Sequence, residues 1–158
     1  MNFKTHLAGG IFFSLLFYNL VYPKELFILA AIIASITPDI DLKKSKAGKR
    51  FPYISNLLNI ISKHRKFFHS MFIPIIVSGI FLWLSMEALA VGFFFGYFVH
   101  LLLDSLTKQG VSWFYPFGKV KGLLTTGGFD EMLIFMFFSA ATIAMVVIKF
   151  FPFIWLPR

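Results

Sequence analysis

The sequence predicts an all-α polytopic integral membrane protein: a helical bundle of about five transmembrane segments with a metal site at the cytoplasmic interface. Three observations predict it. The chain is 58% hydrophobic with 23 Phe and only 14% charged residues, a balance that a soluble domain of 158 residues does not show. Its mean hydropathy of +0.80 is concentrated in long apolar runs. Finally, every histidine falls near the same end of those runs, together with most of the acids.

The apolar runs follow one another with short reversals, and residues 1–158 read as a single membrane-embedded domain. The first run, Leu7–Tyr22, follows a short basic start and lacks a small-x-small cleavage site, so it reads as a retained span. Lys24 and Glu25 turn the chain into the second, Leu26–Thr37, which ends at Pro38 because the residue before proline disfavours the α region. This run is short of the roughly 20 residues of a full crossing, and either begins as early as Pro23 or is re-entrant. The third is Met71–Met86, and Glu87 marks a tight reversal into the fourth, Ala88–Leu106. The fifth is Met132–Phe151. Between them lie a basic segment, Asp39–Phe68, with an amphipathic patch at Tyr53–Ile61, and a Gly- and aromatic-rich segment, Lys108–Glu131, that reads as a structured loop on the membrane.

The formal net charge of +8 sits in loops, so membrane topology accounts for it and nucleic acid is not the expected partner. With five crossings, one side holds Lys4, Lys43, Lys44, Lys46, Lys49, Arg50, Lys63, Arg65, Lys66, Lys108, Lys119 and Lys121. The other holds Lys24, Lys149 and Arg158. The positive-inside rule then places the N-terminus in the cytoplasm and the C-terminus outside, in a cytoplasmic (inner) membrane. His6, Asp39, Asp41, His64, His69, His100, Asp104, Asp130 and Glu131 all fall at the cytoplasmic face, whereas Glu25 and Glu87 fall at the other.

There is no cysteine, so a metal site must use imidazole and oxygen donors. "HLLLD" puts His100 and Asp104 at i and i+4 on one helical face, where they can share an ion or simply bond each other. In "TPDID", Asp39 and Asp41 would point the same way from extended chain, or form a solvated turn. In "SKHRKFFHS", His64 and His69 lie about 140° apart on a helix and share a site only if the chain bends. The lysines there suit anionic headgroups, and Arg65 has the planar fork that holds a phosphate. Asp130 and Glu131 lie where a helix first turn favours acids. Gly9 and Gly10, beside His6, would let a neighbouring helix approach closely. Mixed carboxylates and imidazoles suit zinc, and also Mn²⁺ or Fe²⁺. The donors outnumber one tetrahedral site, which suggests two divalent ions able to clamp a phosphoester and make hydroxide.

His6, "PDID" at Pro38–Asp41, "HRKFFHS" at His64–Ser70, "HLLLDSLTKQG" at His100–Gly110, "YPF" at Tyr115–Phe117 and "TGGFDE" at Thr126–Glu131 carry a resemblance over nearly the whole chain. Their order resembles the YdjM-like family of membrane-bound metal-dependent hydrolases, and more distantly the zinc-dependent phospholipase C and P1 nuclease group. The resemblance implies a LexA-binding, inner-membrane-associated hydrolase. It implies His6, Asp39, His69, His100 and Asp104 as metal ligands, with His64 as a further ligand and Asp41 and Glu131 as further site carboxylates.

The expected activity is hydrolysis of a phosphoester in a lipid or amphiphile at the cytoplasmic face. Arg65 would steady the phosphate, and Asp41 or Glu131 would act as base. Two rival classes are a non-catalytic regulator, which binds a cytoplasmic protein partner through the basic loop, and a divalent-metal transporter. A transporter site would lie at the midplane with access from both sides, where this chain places no such cluster.

Overall fold

The computed structural model describes residues 1–41 and 68–150; the side chains of Ile40, Asp41 and Phe150 lie outside that description. Each of the five apolar runs contributes a helix: α1 Phe3–Leu16, α2 Lys24–Ala34, α3 Phe72–Trp83, α4 Glu87–Ser105 and α5 Phe129–Phe150. The fold is all-helical, with isolated bridges but no strands among the described residues.

Three of the helices are shorter than the runs predict. Those of α1, α2 and α3, with 14, 11 and 12 residues, rise only about 16 to 21 Å, well short of a 30 Å hydrocarbon core. Among the described residues, two helices are long and apolar enough to cross a membrane, Glu87–Ser105 and Phe129–Lys149. The expectation of five spans therefore reduces to two such helices and three shorter ones packed beside them.

Local chemistry explains the early stops. α1 ends at Leu16 rather than Tyr22, and the Tyr18 ring just beyond it lies 3.7 Å from the Lys149 ammonium and 4.9 Å from that of Lys24. These cation–π contacts hold polar ends of α1, α2 and α5 together. α2 ends at Ala34, followed by a 3-10 helix, Thr37–Asp41. The extended chain expected for "PDID" is thus not formed. A 3-10 turn rotates about 120° per residue, so i and i+2 do not share a direction.

The bundle buries small and polar residues beside its apolar core and turns large apolar side chains outward. α1 buries Thr5, His6, Gly9, Gly10 and Ser14, whereas Leu16, Phe17 and Leu20 are exposed. α3 exposes Ile75, Ile76, Ile80, Leu82 and Trp83, and α5 exposes Met132, Leu133, Met136, Phe137, Ile143 and Ile148. In water such a surface would be a large contiguous liability; facing hydrocarbon it is solvated.

α4 is the central helix, and small residues let α2 approach it. A Cβ on Gly96 would lie 2.0 Å from the Ala31 carbonyl oxygen, and one on Gly92 2.5 Å from that of Phe27. Ala30, Ala31 and Ala34 complete the seam. The close approach expected at Gly9 and Gly10 is also present: a Cβ on Gly10 would meet Ser35 Oγ at 2.1 Å.

Candidate metal centre at the helix ends

Alternating helix direction brings the start of α1, the end of α2, the segment before α3 and the end of α4 to one place. His6 Nε2 donates to Asp104 Oδ1 at 3.1 Å, and the His6 and His100 rings stack with centroids 3.8 Å apart. The His69 ring meets His100 edge-on at 5.6 Å. Ligand-type atoms of His6, Asp39 and His100 all lie within 4.8 Å of one another, and so do those of His69, His100 and Asp104. His100 belongs to both groups. The five side chains therefore form one cluster, drawn from four separate pieces of chain.

The local sequence sets the orientation of His100. Its Nδ1 donates to the Ser35 carbonyl at 2.8 Å. That carbonyl is available because, in the 3-10 register, its partner would be the N–H of residue 38, and Pro38 has none. The next amide, Asp39 N, bonds Ile36 O instead at 3.3 Å. With its proton on Nδ1, His100 turns the lone pair of Nε2 toward Asp104 Oδ2, 3.4 Å away. His6 likewise uses its Nε2–H on Asp104 and leaves the lone pair of Nδ1. Both nitrogens are buried with no hydrogen-bond partner among the described residues. Two bare imidazole lone pairs beside carboxylate oxygens are costly unless a cation lies among them. The donor set fits a divalent ion.

Burial also sets the charge states around the cluster. It pulls the His69 imidazole down to about 4, so that it is neutral at pH 7, the form that ligates. It pushes the Asp39 carboxyl up, opposed by the neighbouring His100. The Met1 amine forms an ion pair with Asp104 Oδ1.

Thr107 and Gly110, in "HLLLDSLTKQG", have local jobs. Thr107 Oγ1 donates to Asp104 O at 2.8 Å, closing the end of α4, and accepts Gly110 N at 3.3 Å. Gly110 has φ +62, and a Cβ there would lie 2.2 Å from Val120 O. An open cavity of about 220 Å³ borders the cluster, lined in part by Asp39, His69 and Asp104.

Glu131 is not brought into this group. It is 2% exposed, and its carboxylate is fully engaged: Oε1 accepts Asn2 N and Thr5 Oγ1 (2.9 Å), while Oε2 accepts Gly127 N at 2.5 Å. It pins the chain start and the loop to α5. His64, Arg65 and the side chain of Asp41 lie outside the described residues, as does the Tyr53–Ile61 patch. Sequence reasoning missed the Ser35 carbonyl, whose signal is Pro38 three residues on. It also missed Tyr97, whose hydroxyl donates to Phe68 O and fixes the chain next to His69.

An apolar-faced helical bundle with a polar cluster at its helix ends is the architecture of an integral membrane protein. The chain belongs to the YdjM inner membrane protein family, whose pattern matches residues 1–156. It is 28% identical over 139 residues to the uncharacterized protein YvsG of Bacillus subtilis, covering 85% of this chain and 87% of that relative. It is 32% identical over 93 residues to the inner membrane protein YdjM of Escherichia coli, covering 55% of this chain and 47% of that relative. The inner membrane protein YdjM of Shigella flexneri matches to the same extent. No solved structure matches.

Proposed function

We propose that this protein is a metal-dependent hydrolase that cleaves a phosphoester of a lipid or amphiphile at the cytoplasmic face of the membrane. The observation that carries this reading is the pair of buried imidazole nitrogens, His6 Nδ1 and His100 Nε2, that have no partner among the described residues and lie within a group of three histidines and two aspartates. His6, Asp39, His69, His100 and Asp104 would hold one or two divalent ions, zinc or alternatively manganese or iron, with His64 as a further ligand. When bound, such an ion polarises a phosphoryl oxygen and activates water.

The chain's own residues do the rest. Ser35 fixes the His100 tautomer through its carbonyl, and Asp104 orients His6. Arg65 steadies the phosphate and Asp41 accepts a proton, while Glu131 holds the start of α1 in place. A cavity of about 220 Å³ has room for a headgroup but not for acyl chains, which would stay among the exposed apolar faces.

The rival account of the cluster is a direct hydrogen bond between His100 and Asp104, with no ion. It would suit a non-catalytic regulator. Metal analysis of the purified protein and its His100→Ala variant separates the two: stoichiometric metal lost in the variant supports the hydrolase, and equal traces in both contradict it. The charge asymmetry of the loops supports a cytoplasmic N-terminus and an outer C-terminus. A reporter fused after Arg158 that is active only in the cytoplasm would contradict that topology.

A further inference from the structure

The cavity has a second wall that the His/Asp cluster does not supply, made by Thr107, Gln109, Gly110, Val111, Ser112 and Lys119. Backbone hydrogen bonds fix this wall to the end of α4. Val111 N and Val120 N each donate to the other's carbonyl at 2.9 Å, Lys108 N donates to Leu124 O at 2.9 Å, and Gly122 N donates to Thr107 O at 3.0 Å. The ladder holds Val120, and with it the adjoining Lys119, in register with the chain that leaves Asp104. Gly110 permits the close approach, since any Cβ there would strike Val120 O.

Of the loop lysines Lys108, Lys119 and Lys121, Lys119 alone is among the residues lining the cavity. Ser112 and Gln109 add neutral donors beside it. An oxyanion entering here also faces the carboxylates of Asp39 and Asp104, which repel it. The Met1 ammonium, paired with Asp104, and the Lys119 ammonium both line the cavity and offset that repulsion, and an ammonium is a point-charge partner for phosphate oxygens.

We propose that Lys119, with Ser112 and Gln109, forms the phosphate-binding wall of this cavity and presses the anionic group of the substrate against the His/Asp cluster. The assignment rests on the phosphoester reading above, and deepens it by naming where the phosphate sits.

The test uses the purified full chain in detergent, as isolated and after addition of zinc. Probes are inorganic phosphate and a short-chain phosphatidic acid, and readouts are binding calorimetry, lysine acylation followed by mass spectrometry, and metal content. Phosphate should protect Lys119 and not Lys121 from acylation. Lys119→Met should weaken phosphate binding tenfold or more with metal content unchanged. Lys119→Arg should recover much of the loss, and Lys121→Met should match wild type. Protection by the phosphatidic acid alone would assign the wall to a lipid headgroup; protection by both probes would assign it to any phosphate monoester. Wild-type affinity in Lys119→Met overturns the proposal, and leaves the hydrolase reading intact if wild type still cleaves phosphoesters. Conversely, loss of phosphate binding in Lys119→Met by a protein that cleaves no phosphoester upholds the anion site and removes the hydrolase reading.

Discussion

His100 Nδ1 donates to the backbone carbonyl of Ser35 at 2.8 Å, which commits its Nε2 lone pair to the cluster shared with Asp104. The contact exists because Pro38 withholds the amide that would otherwise occupy that carbonyl. Pro38→Ala restores a competing N–H. Metal affinity should fall about 10-fold to 100-fold, the usual cost of losing an outer-shell partner, while helix content is unchanged. Competition titration with a zinc chelator measures it; unchanged affinity would show that the Ser35 contact does not position the ligand.

Asp104 accepts from His6, faces His100 and pairs with the Met1 amine. Asp104→Ala should therefore insert and purify, yet lose metal, and lose phosphoester hydrolysis by orders of magnitude. Release of phosphate or phosphorylated headgroup from mixed lipids, with metal content measured on the same samples, tests this. A variant retaining both would remove Asp104 from the ligand set.

Gly96 packs its α-carbon against the backbone of Ala31 with no room for a methyl group. Gly96→Val should separate α2 from α4 and destabilise the protein by about 1–3 kcal/mol or more, as overpacking does. It should also weaken metal binding, because Asp39 and Ser35 travel with α2. Thermal unfolding in detergent is the measurement.

Acidification should destabilise the metal-free protein. The His69 imidazole titrates near 6.5 when unfolded, and burial holds it at about 4 in the fold. Between those values the unfolded chain binds the extra proton, so stability rises with pH through this window and is lost as pH falls, by on the order of 1 kcal/mol per unit. The raised carboxyl of Asp39 acts in the opposite sense, at the acid side of its shift. His69→Gln should flatten the pH dependence of the melting temperature between pH 6.5 and about 4. An unchanged slope would assign it to another group.

Much of the candidate site was legible because its histidines and aspartates lie near helix ends, where topology alone groups them. Alternating apolar runs place His6, Asp39, His69, His100 and Asp104 at one end of the bundle without any knowledge of packing. Helix lengths were less legible: apolar composition continues past Leu16, but Tyr18 turns to the ammonium groups of Lys24 and Lys149, a contact between distant segments. The conformation of "PDID" was misread for a similar reason. Extended and 3-10 chain both tolerate Pro38, and in the 3-10 form Asp39 lies beside His6 and His100, which come from distant segments. Glu131 shows contacts of the same hidden kind. Its position beside the cluster suggested a base, and its partners, Asn2, Thr5 and Gly127, come from parts of the chain whose proximity the sequence does not declare.

The central claim is that a divalent ion joins the lone pairs of His6 and His100 to the aspartates. Elemental analysis of wild type and His100→Ala, purified side by side without added metal, tests it most directly. The account predicts one to two equivalents of zinc, manganese or iron in wild type, lost in the variant while it remains folded. Wild type free of metal even after incubation with each ion, or a folded His100→Ala protein with a full complement, would contradict it.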